Sequence, residues 1–119
     1  MPRDEDVQEL DMMLVVLLMA LASPNPSSLD APRNAYATCI KSFEKQSLTA
    51  KVEPAAYSAA IKGACTSEAA RLATALVAYD VAMGDKRATA AANAASDVAD
   101  YVLTSEERYV TQHAASKPK

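Results

Sequence analysis

Apolar side chains recur at steps of three and four residues through most of the chain, which is the period of an α-helix. No segment alternates apolar and polar residues as a half-buried strand does. Glycine occurs only twice, and roughly a fifth of the residues are alanine, the strongest helix former. The pattern predicts an all-α fold, and the 119-residue length predicts one small antiparallel bundle.

Proline, glycine and aspartate mark the expected helix ends. Asp30 suits the cap of a first helix that runs to about Leu48. Pro54 suits the first position of a second helix, because a proline there has no amide hydrogen to lose. Gly84 suits the left-handed residue that ends this second helix, and Asp85 suits the cap of the third.

The second helix has a weak point at Gly63, and a polar group begins at Thr66 and Ser67. It is either one long helix or two helices with Thr66 or Ser67 as a new cap, so the bundle has three helices or four. The predicted organisation is a signal peptide at 1–22, a flexible lead-in at 23–29, a bundle at 30–112 and a frayed tail at 113–119.

The predicted core follows the apolar period of each helix. Its large members include all five tyrosines, on or beside a stripe, because an alanine-rich bundle needs bulky core residues. The stripes read Tyr36, Cys39, Ile40, Phe43 and Leu48; then Tyr57, Ile61, Ala64, Cys65, Glu68, Ala69, Leu72, Leu76, Tyr79 and Met83; then Ala88, Ala91, Ala92, Ala95, Val98, Val102 and Tyr109.

The two cysteines, Cys39 and Cys65, are equidistant from Val52 in the turn between the first two helices. An antiparallel hairpin places them at the same height, so the spacing predicts a disulfide, which would contribute about 3.5 kcal/mol by restricting the unfolded chain. The alternative is two free buried thiols in a cytosolic protein. The spacing is not that of a thioredoxin or zinc site.

An apolar run from Met12 to Leu21 ends in Ala20, Leu21 and Ala22, which is typical of a secretory signal peptide cleaved before Ser23. Export implies that the protein lies in an oxidising compartment, either periplasmic or extracellular. Five acidic residues precede the run, whereas a signal peptide begins with positive charge. Translation that starts at Met12 or Met13 would remove these acids. The alternatives are a buried helix of a cytosolic protein and an uncleaved membrane anchor.

The net charge of -3 comes from the first 22 residues, which carry those five acids and one base, so the remainder carries +1. Its lysines and arginines are scattered. A nearly neutral chain without a basic cluster is not expected to bind nucleic acid or to be held on a membrane surface by charge.

No catalytic, metal-binding or cofactor motif stands out. His113 is expected to be solvated at the end of the third helix, where a general base would have no fixed partner. Asp97 and Asp100 share a helix face, but no histidine or glutamate accompanies them at metal-ligand spacing, so a solvated face is expected.

Asp80 lies near the end of the second helix, where a carboxylate opposes the helix dipole. We expect it to pair with Lys86 or Arg87 across the turn, which would fix the corner between the second and third helices. This is a structural role and not a binding role.

Short segments of the chain resemble a group of small exported proteins of alphaproteobacteria. The resemblance covers most of residues 35–110 and rests on Tyr36-x-x-Cys39, Ala64-Cys65-x-x-Glu68, Ala78-Tyr79-Asp80-Val81-Ala82-Met83-Gly84 with Lys86-Arg87, and Asp100-Tyr101. It implies a periplasmic address and no particular activity or site.

These features predict a non-enzymatic exported protein that acts in periplasmic or envelope interactions, with an unknown protein partner or with itself. Self-association would use the small side chains of the third helix at Ala88, Ala91 and Ala95. A cytosolic interaction domain is the alternative if the apolar run is a buried helix.

A different class of function is a carrier that holds a small apolar ligand between helices. Its groove would be lined by Tyr57, Leu72, Leu76 and Tyr101. An enzyme that uses Asp97, Asp100 or His113 is the third hypothesis, and it requires a concave site that gathers those groups.

Overall fold

The computed structural model describes residues 24–118. In this part of the chain a 3₁₀ turn, Pro26–Leu29, precedes four helices, and no strand occurs: α1 is Asp30–Thr49, α2 is Pro54–Ile61, α3 is Thr66–Ala82 and α4 is Arg87–Ser116. The all-α bundle is confirmed in its four-helix form. The predicted leader and its cleavage residues Ala20, Ala22 and Ser23 lie outside the described residues.

The second predicted helix is interrupted between α2 and α3. The amide of Gly63 donates to the carbonyl of Ala60 at 3.1 Å, and Cys65 has a left-handed backbone with φ of 57°. Cys65, and not Thr66 or Ser67, is the residue that precedes the first turn of α3, and no side chain caps it. The left-handed residue redirects the chain, because a right-handed helix cannot continue through it.

Left-handed residues also follow α1 and α3. Lys51 adopts φ of 58° after α1, where the Val52 amide donates to the Ser47 carbonyl at 3.0 Å. Gly84 adopts φ of 108° after α3, as its position predicts, and the Gly84 amide donates to Val81. These bonds use carbonyls at the helix ends that have no partner within the helix.

Two predicted aspartate caps are wrong. Asp30 lies in the first turn of α1 and Leu29 precedes it, while Lys86 occupies the cap position of α4 instead of Asp85. An acid in the first turn still interacts favourably with the helix dipole, so Asp30 supports the helix start without capping it.

The corner between α3 and α4 is held by the backbone. The Asp85 amide donates to the Asp80 carbonyl at 3.0 Å. The expected ion pair from Asp80 to Lys86 or Arg87 is absent from residues 24–118, where Arg108 pairs with Glu44 and His113 Nε2 lies 3.9 Å from Glu53.

Both ends of the described chain are more ordered than the sequence pattern suggests. The segment expected as a flexible lead-in forms the 3₁₀ turn, and the side chain of Leu29 is buried in the core. At the other end α4 continues through Ser116, beyond the expected end at 112, and His113 is only 8% exposed. Packing against the bundle supplies the stabilisation that both segments lack in isolation.

The 30-residue helix α4 is the centre of the bundle and contacts each of the other three helices. Its buried face is Ala90, Ala94, Ser105, Tyr109 and His113, whereas the predicted residues Ala88, Ala91, Ala92 and Ala95 are exposed. Six of the eight residues from 88 to 95 are alanine, so their spacing does not identify the buried face. No helix in residues 24–118 has both the length and the apolar character needed to cross a membrane.

The predicted disulfide is confirmed between Cys39 of α1 and Cys65 at the start of α3. Their Cα atoms are 6.0 Å apart, within the range that a disulfide spans. The bond closes a loop of 26 residues that contains the whole of α2. It therefore ties together the first three helices.

Replacing both cysteines, Cys39→Ser with Cys65→Ser, is expected to lower the free energy of unfolding by about 3.5 kcal/mol, because the open loop gains entropy in the unfolded chain. Urea unfolding followed by circular dichroism measures the loss. A reductant should shift the wild-type midpoint by a similar amount and leave the double variant unchanged. A wild-type unfolding midpoint that does not change with reductant would contradict this prediction.

Candidate functional site

A buried polar cluster joins α1, α2 and α4. The Ser105 hydroxyl donates to Glu44 Oε1 at 2.7 Å, and the Tyr57 hydroxyl lies 2.6 Å from Ser105 Oγ. A serine hydroxyl has one proton to donate, so the Tyr57 hydroxyl is the donor to Ser105. Each buried oxygen thus has a partner, which removes most of the cost of burying it.

Arg108 completes the cluster from the solvent side. Its Nε donates to both carboxylate oxygens of Glu44 at 3.0 Å, and its Nη2 donates to Oε1. The side chain of Glu44 is 5% exposed, whereas that of Arg108 is 37% exposed. The hydrogen bonds to Glu44 raise the pKa of the Arg108 guanidinium.

An aromatic stack runs beside this cluster. The rings of Tyr57 and Tyr109 are nearly parallel, with centroids 3.8 Å apart, and Phe43 packs against Tyr57 at 5.5 Å. The Tyr109 hydroxyl donates to the Val52 carbonyl at 2.6 Å. This bond fixes the turn between α1 and α2 to α4.

Above the polar cluster, α1 and α4 form an open surface groove, which we call the α1–α4 groove. It consists of two adjoining depressions of about 300 Å³ and 580 Å³ that share Lys41 and Arg108. One end is mainly apolar and is lined by Ala37, Ile40, Asp100, Tyr101 and Thr104. The other end is polar and is lined by Glu44, Lys45, Leu48, Thr49 and Gln112.

The charges of the groove are unevenly distributed. Lys41 and Lys45 are exposed and one helical turn apart, and neither forms an ion pair with another described residue. The charge of Arg108 is matched by Glu44 beneath it, and Asp100 lies at the apolar end. The groove can therefore bind an apolar group at one end and an anionic group near the lysines.

The residues predicted to line a ligand groove are only partly brought together. Leu72, Leu76 and Tyr101 line a separate open depression of about 320 Å³. Tyr57 does not line it, because its side chain is fully buried between Phe43 and Tyr109. Leu72 and Leu76 are themselves almost fully buried, so their surfaces are occupied by core packing.

The acidic pair and the histidine are not gathered in one site. Asp97 and Asp100 line the same depression as Leu72, together with Arg33. His113 lies more than three turns further along α4, against the ring of Tyr109 at 6.0 Å. Its Nε2 atom is 3.9 Å from a carboxylate oxygen of Glu53, an exposed residue. His113 is buried, and the expectation of a solvated histidine is wrong.

One group of metal-ligating residue types occurs in the described chain. The sulfur atoms of Cys39 and Cys65 and a carboxylate oxygen of Glu68 lie within 4.8 Å of one another. The two sulfurs are bonded to each other, however, and a thiolate is the form of cysteine that binds a metal. The disulfide form therefore offers one carboxylate and no thiolate ligand.

Sequence reasoning did not identify Glu44, Ser105, Arg108 or the two lysines as a site. One signal was present: Glu44 lies four residues after Ile40 and eight after Tyr36, so a charged residue continues the buried stripe of α1. A charged group on such a stripe requires a partner, and the sequence alone does not say which arginine or lysine supplies it.

Glu44→Gln is expected to lower the free energy of unfolding by about 2 kcal/mol, because the charge-assisted bonds to Arg108 become neutral and the amide group cannot accept all of them. Denaturant unfolding measures the effect. Glu107→Gln, an exposed acid on α4, is the matched control and should change stability by less than about 0.5 kcal/mol. Equal effects of the two changes would contradict a structural role for the cluster.

Stability is expected to fall as the pH rises above 10. Burial raises the pKa of Tyr36, Tyr57 and Tyr109 above the ordinary value of 10.0. Above that pH the unfolded chain releases protons that the folded chain retains, so the free energy of unfolding decreases with pH. Tyrosinate absorbance and the helical circular dichroism signal are recorded together during the titration. Ionisation of these three tyrosines should coincide with loss of helix. Ionisation of all tyrosines near pH 10 with the helices intact would contradict this prediction.

No protein-family model, curated protein sequence or solved structure matches the chain. The resemblance to small exported proteins of alphaproteobacteria therefore stays a prediction.

Proposed function

We propose that the protein is a non-enzymatic, exported helical module that binds a protein partner in the periplasm or envelope through the α1–α4 groove. The observation that carries the proposal is the pairing of an open apolar depression with two exposed lysines that no described carboxylate neutralises. Lysines whose charge is unmatched beside exposed apolar surface are a suitable contact for an acidic amphipathic segment.

The state of the reactive side chains supports a non-enzymatic role. Cys39 and Cys65 are joined to each other, and Ser105 is fully buried with its hydroxyl engaged by Tyr57 and Glu44. His113 is buried, and the described contacts of its ring are with Tyr109 and Glu53. A catalytic group must reach a substrate, and the burial of Ser105 and His113 opposes such contact.

The disulfide supports export. Structural disulfides persist in oxidising compartments, whereas a cytosolic protein keeps its thiols reduced. The bond between Cys39 and Cys65 accords with the address that Ala20, Leu21 and Ala22 predict for the leader. The cytosolic alternative would leave both thiols free.

The shape of the groove favours a protein segment over a small carried ligand. Along α1 it extends from Ala37 to Thr49, which corresponds to about 18 Å or three helical turns. A carrier needs a cavity that encloses most of its ligand, whereas this groove is open along its length. Grooves between two helices accept an amphipathic helix laid along them.

Two coupled readouts test the proposal in a Gram-negative host that expresses the full chain with a carboxy-terminal tag. Fractionation and intact mass should give a periplasmic protein that begins at Ser23 and has no free thiol, and Leu17→Arg should prevent export by placing a charge in the apolar run. The wild type should retain crosslinked envelope proteins. The double change Lys41→Glu with Lys45→Glu should reduce the retained amount about tenfold, which corresponds to a loss of about 1.4 kcal/mol in binding free energy.

Lys62→Glu with Arg71→Glu is the matched control, because it reverses two exposed cations that do not line the groove. It should leave retention unchanged. A cytosolic protein with reduced thiols would overturn the export part of the proposal. Equal loss of retention in both double variants would overturn the assignment of the groove.

A further inference from the structure

The side of α4 that faces away from the bundle carries an exposed apolar stripe, which we call the outer face. Leu103 and Val110 are seven residues apart, so they lie on one line along the helix. Their side chains are 55% and 53% exposed. The exposed alanines Ala92 and Ala99 continue the same line toward the start of α4.

Acidic residues border the outer face. Glu107 is exposed, Glu106 is half-buried, and both lie between Leu103 and Val110 in the sequence. Neither forms an ion pair with another described residue. The outer face is thus apolar along its centre and negative along its edges.

The α1–α4 groove has the complementary character. Its apolar end is formed by Ala37, Ile40 and Tyr101, and its positive charge comes from Lys41 and Lys45. Two acids line the groove: Glu44 is paired with Arg108, and Asp100 lies at the end away from Lys45, so an acidic segment is favoured near the lysines. Among residues 24–118, Lys41, Lys45, Glu106 and Glu107 form no ion pair.

The outer face is long enough to fill the groove. Its segment from Ala99 to Val110 extends for about 17 Å, and the groove from Ala37 to Thr49 for about 18 Å. Parallel, in-register pairing of two outer faces would place Glu106 and Glu107 of one chain beside the same acids of the other. Repulsion disfavours that arrangement, whereas the groove offers these acids two lysines.

We propose that the occupant of the α1–α4 groove is the outer face of α4 from a second copy of this chain. The proposal rests on the proposed function, since it names the partner of the same groove. The contact places Leu103 against the apolar end and Glu106 and Glu107 beside Lys41 and Lys45. The predicted self-association used Ala88, Ala91 and Ala95, whereas this contact uses another side of α4. Helix α4 also carries part of the groove.

Sedimentation velocity of the disulfide-bonded mature protein tests the proposal, from micromolar to millimolar concentration and at low and high salt. The average mass of the wild type should rise with concentration at low salt and fall toward that of the monomer at high salt, because screening weakens the charge contacts. A wild type that stays monomeric at millimolar concentration and low salt would overturn the proposal.

Charge reversal identifies the two surfaces. Lys41→Glu with Lys45→Glu makes both surfaces negative, and Glu106→Lys with Glu107→Lys makes both positive, so each variant alone should be monomeric. An equimolar mixture pairs a negative outer face with a positive groove and a positive outer face with a negative groove, so association should return. Lys62→Glu with Arg71→Glu should associate as the wild type does. A mixture that stays monomeric would overturn the assignment of the surfaces.

The outcomes separate this proposal from the proposed function. Retention of another envelope protein through Lys41 and Lys45 by a chain that stays monomeric would overturn self-association and leave the binding role intact. Salt-sensitive association of a chain that is never exported would support the contact between copies and overturn the periplasmic role.

Discussion

The carboxylate of Glu44 is the group on which the polar half of the bundle depends. It comes from α1, accepts a hydrogen bond from Ser105 of α4 and is covered by Arg108 one turn later. Through Ser105 it also orients the hydroxyl of Tyr57 on the short helix α2. A buried charge tolerates few arrangements of its partners, so this cluster sets the relative position of three helices in a way that apolar packing alone does not.

The bundle has two halves that are held by different means. Around the carboxy-terminal half of α4, tyrosine rings stack and their hydroxyls bond to Ser105 and to the carbonyl of Val52. Around the amino-terminal half, Ala90 and Ala94 are the buried residues of α4, so little apolar area is available. The disulfide between Cys39 and Cys65 adds a covalent link where the chain passes from α2 to α3.

This division leaves the α1–α4 groove and the outer face of α4 on the outside of the bundle. Tyrosines and leucines fill the interior, while the alanine-rich surface of α4 and the basic edge of α1 remain open to solvent. Two groups have unmatched charge: the lysines of α1 beside the groove and the glutamates on the outer face. The groove and the outer face lie on neighbouring sides of α4. A chain that carries both halves of a complementary contact can bind a partner that resembles itself, which connects the proposed binding role to self-association.

The sequence by itself determined the all-α fold, the helix start at Pro54, the helix end at Gly84 and the bond between Cys39 and Cys65. The first three depend on local backbone chemistry or on the period of a single helix, and the disulfide depends on the equal distance of the two cysteines from the turn between two antiparallel helices. Only the tertiary structure decided the buried face of α4, the partner of Glu44 and the burial of His113. Six alanines among residues 88–95 hide the period of that face, and the cluster joins residues 48 to 64 positions apart, a proximity that only packing of the helices creates.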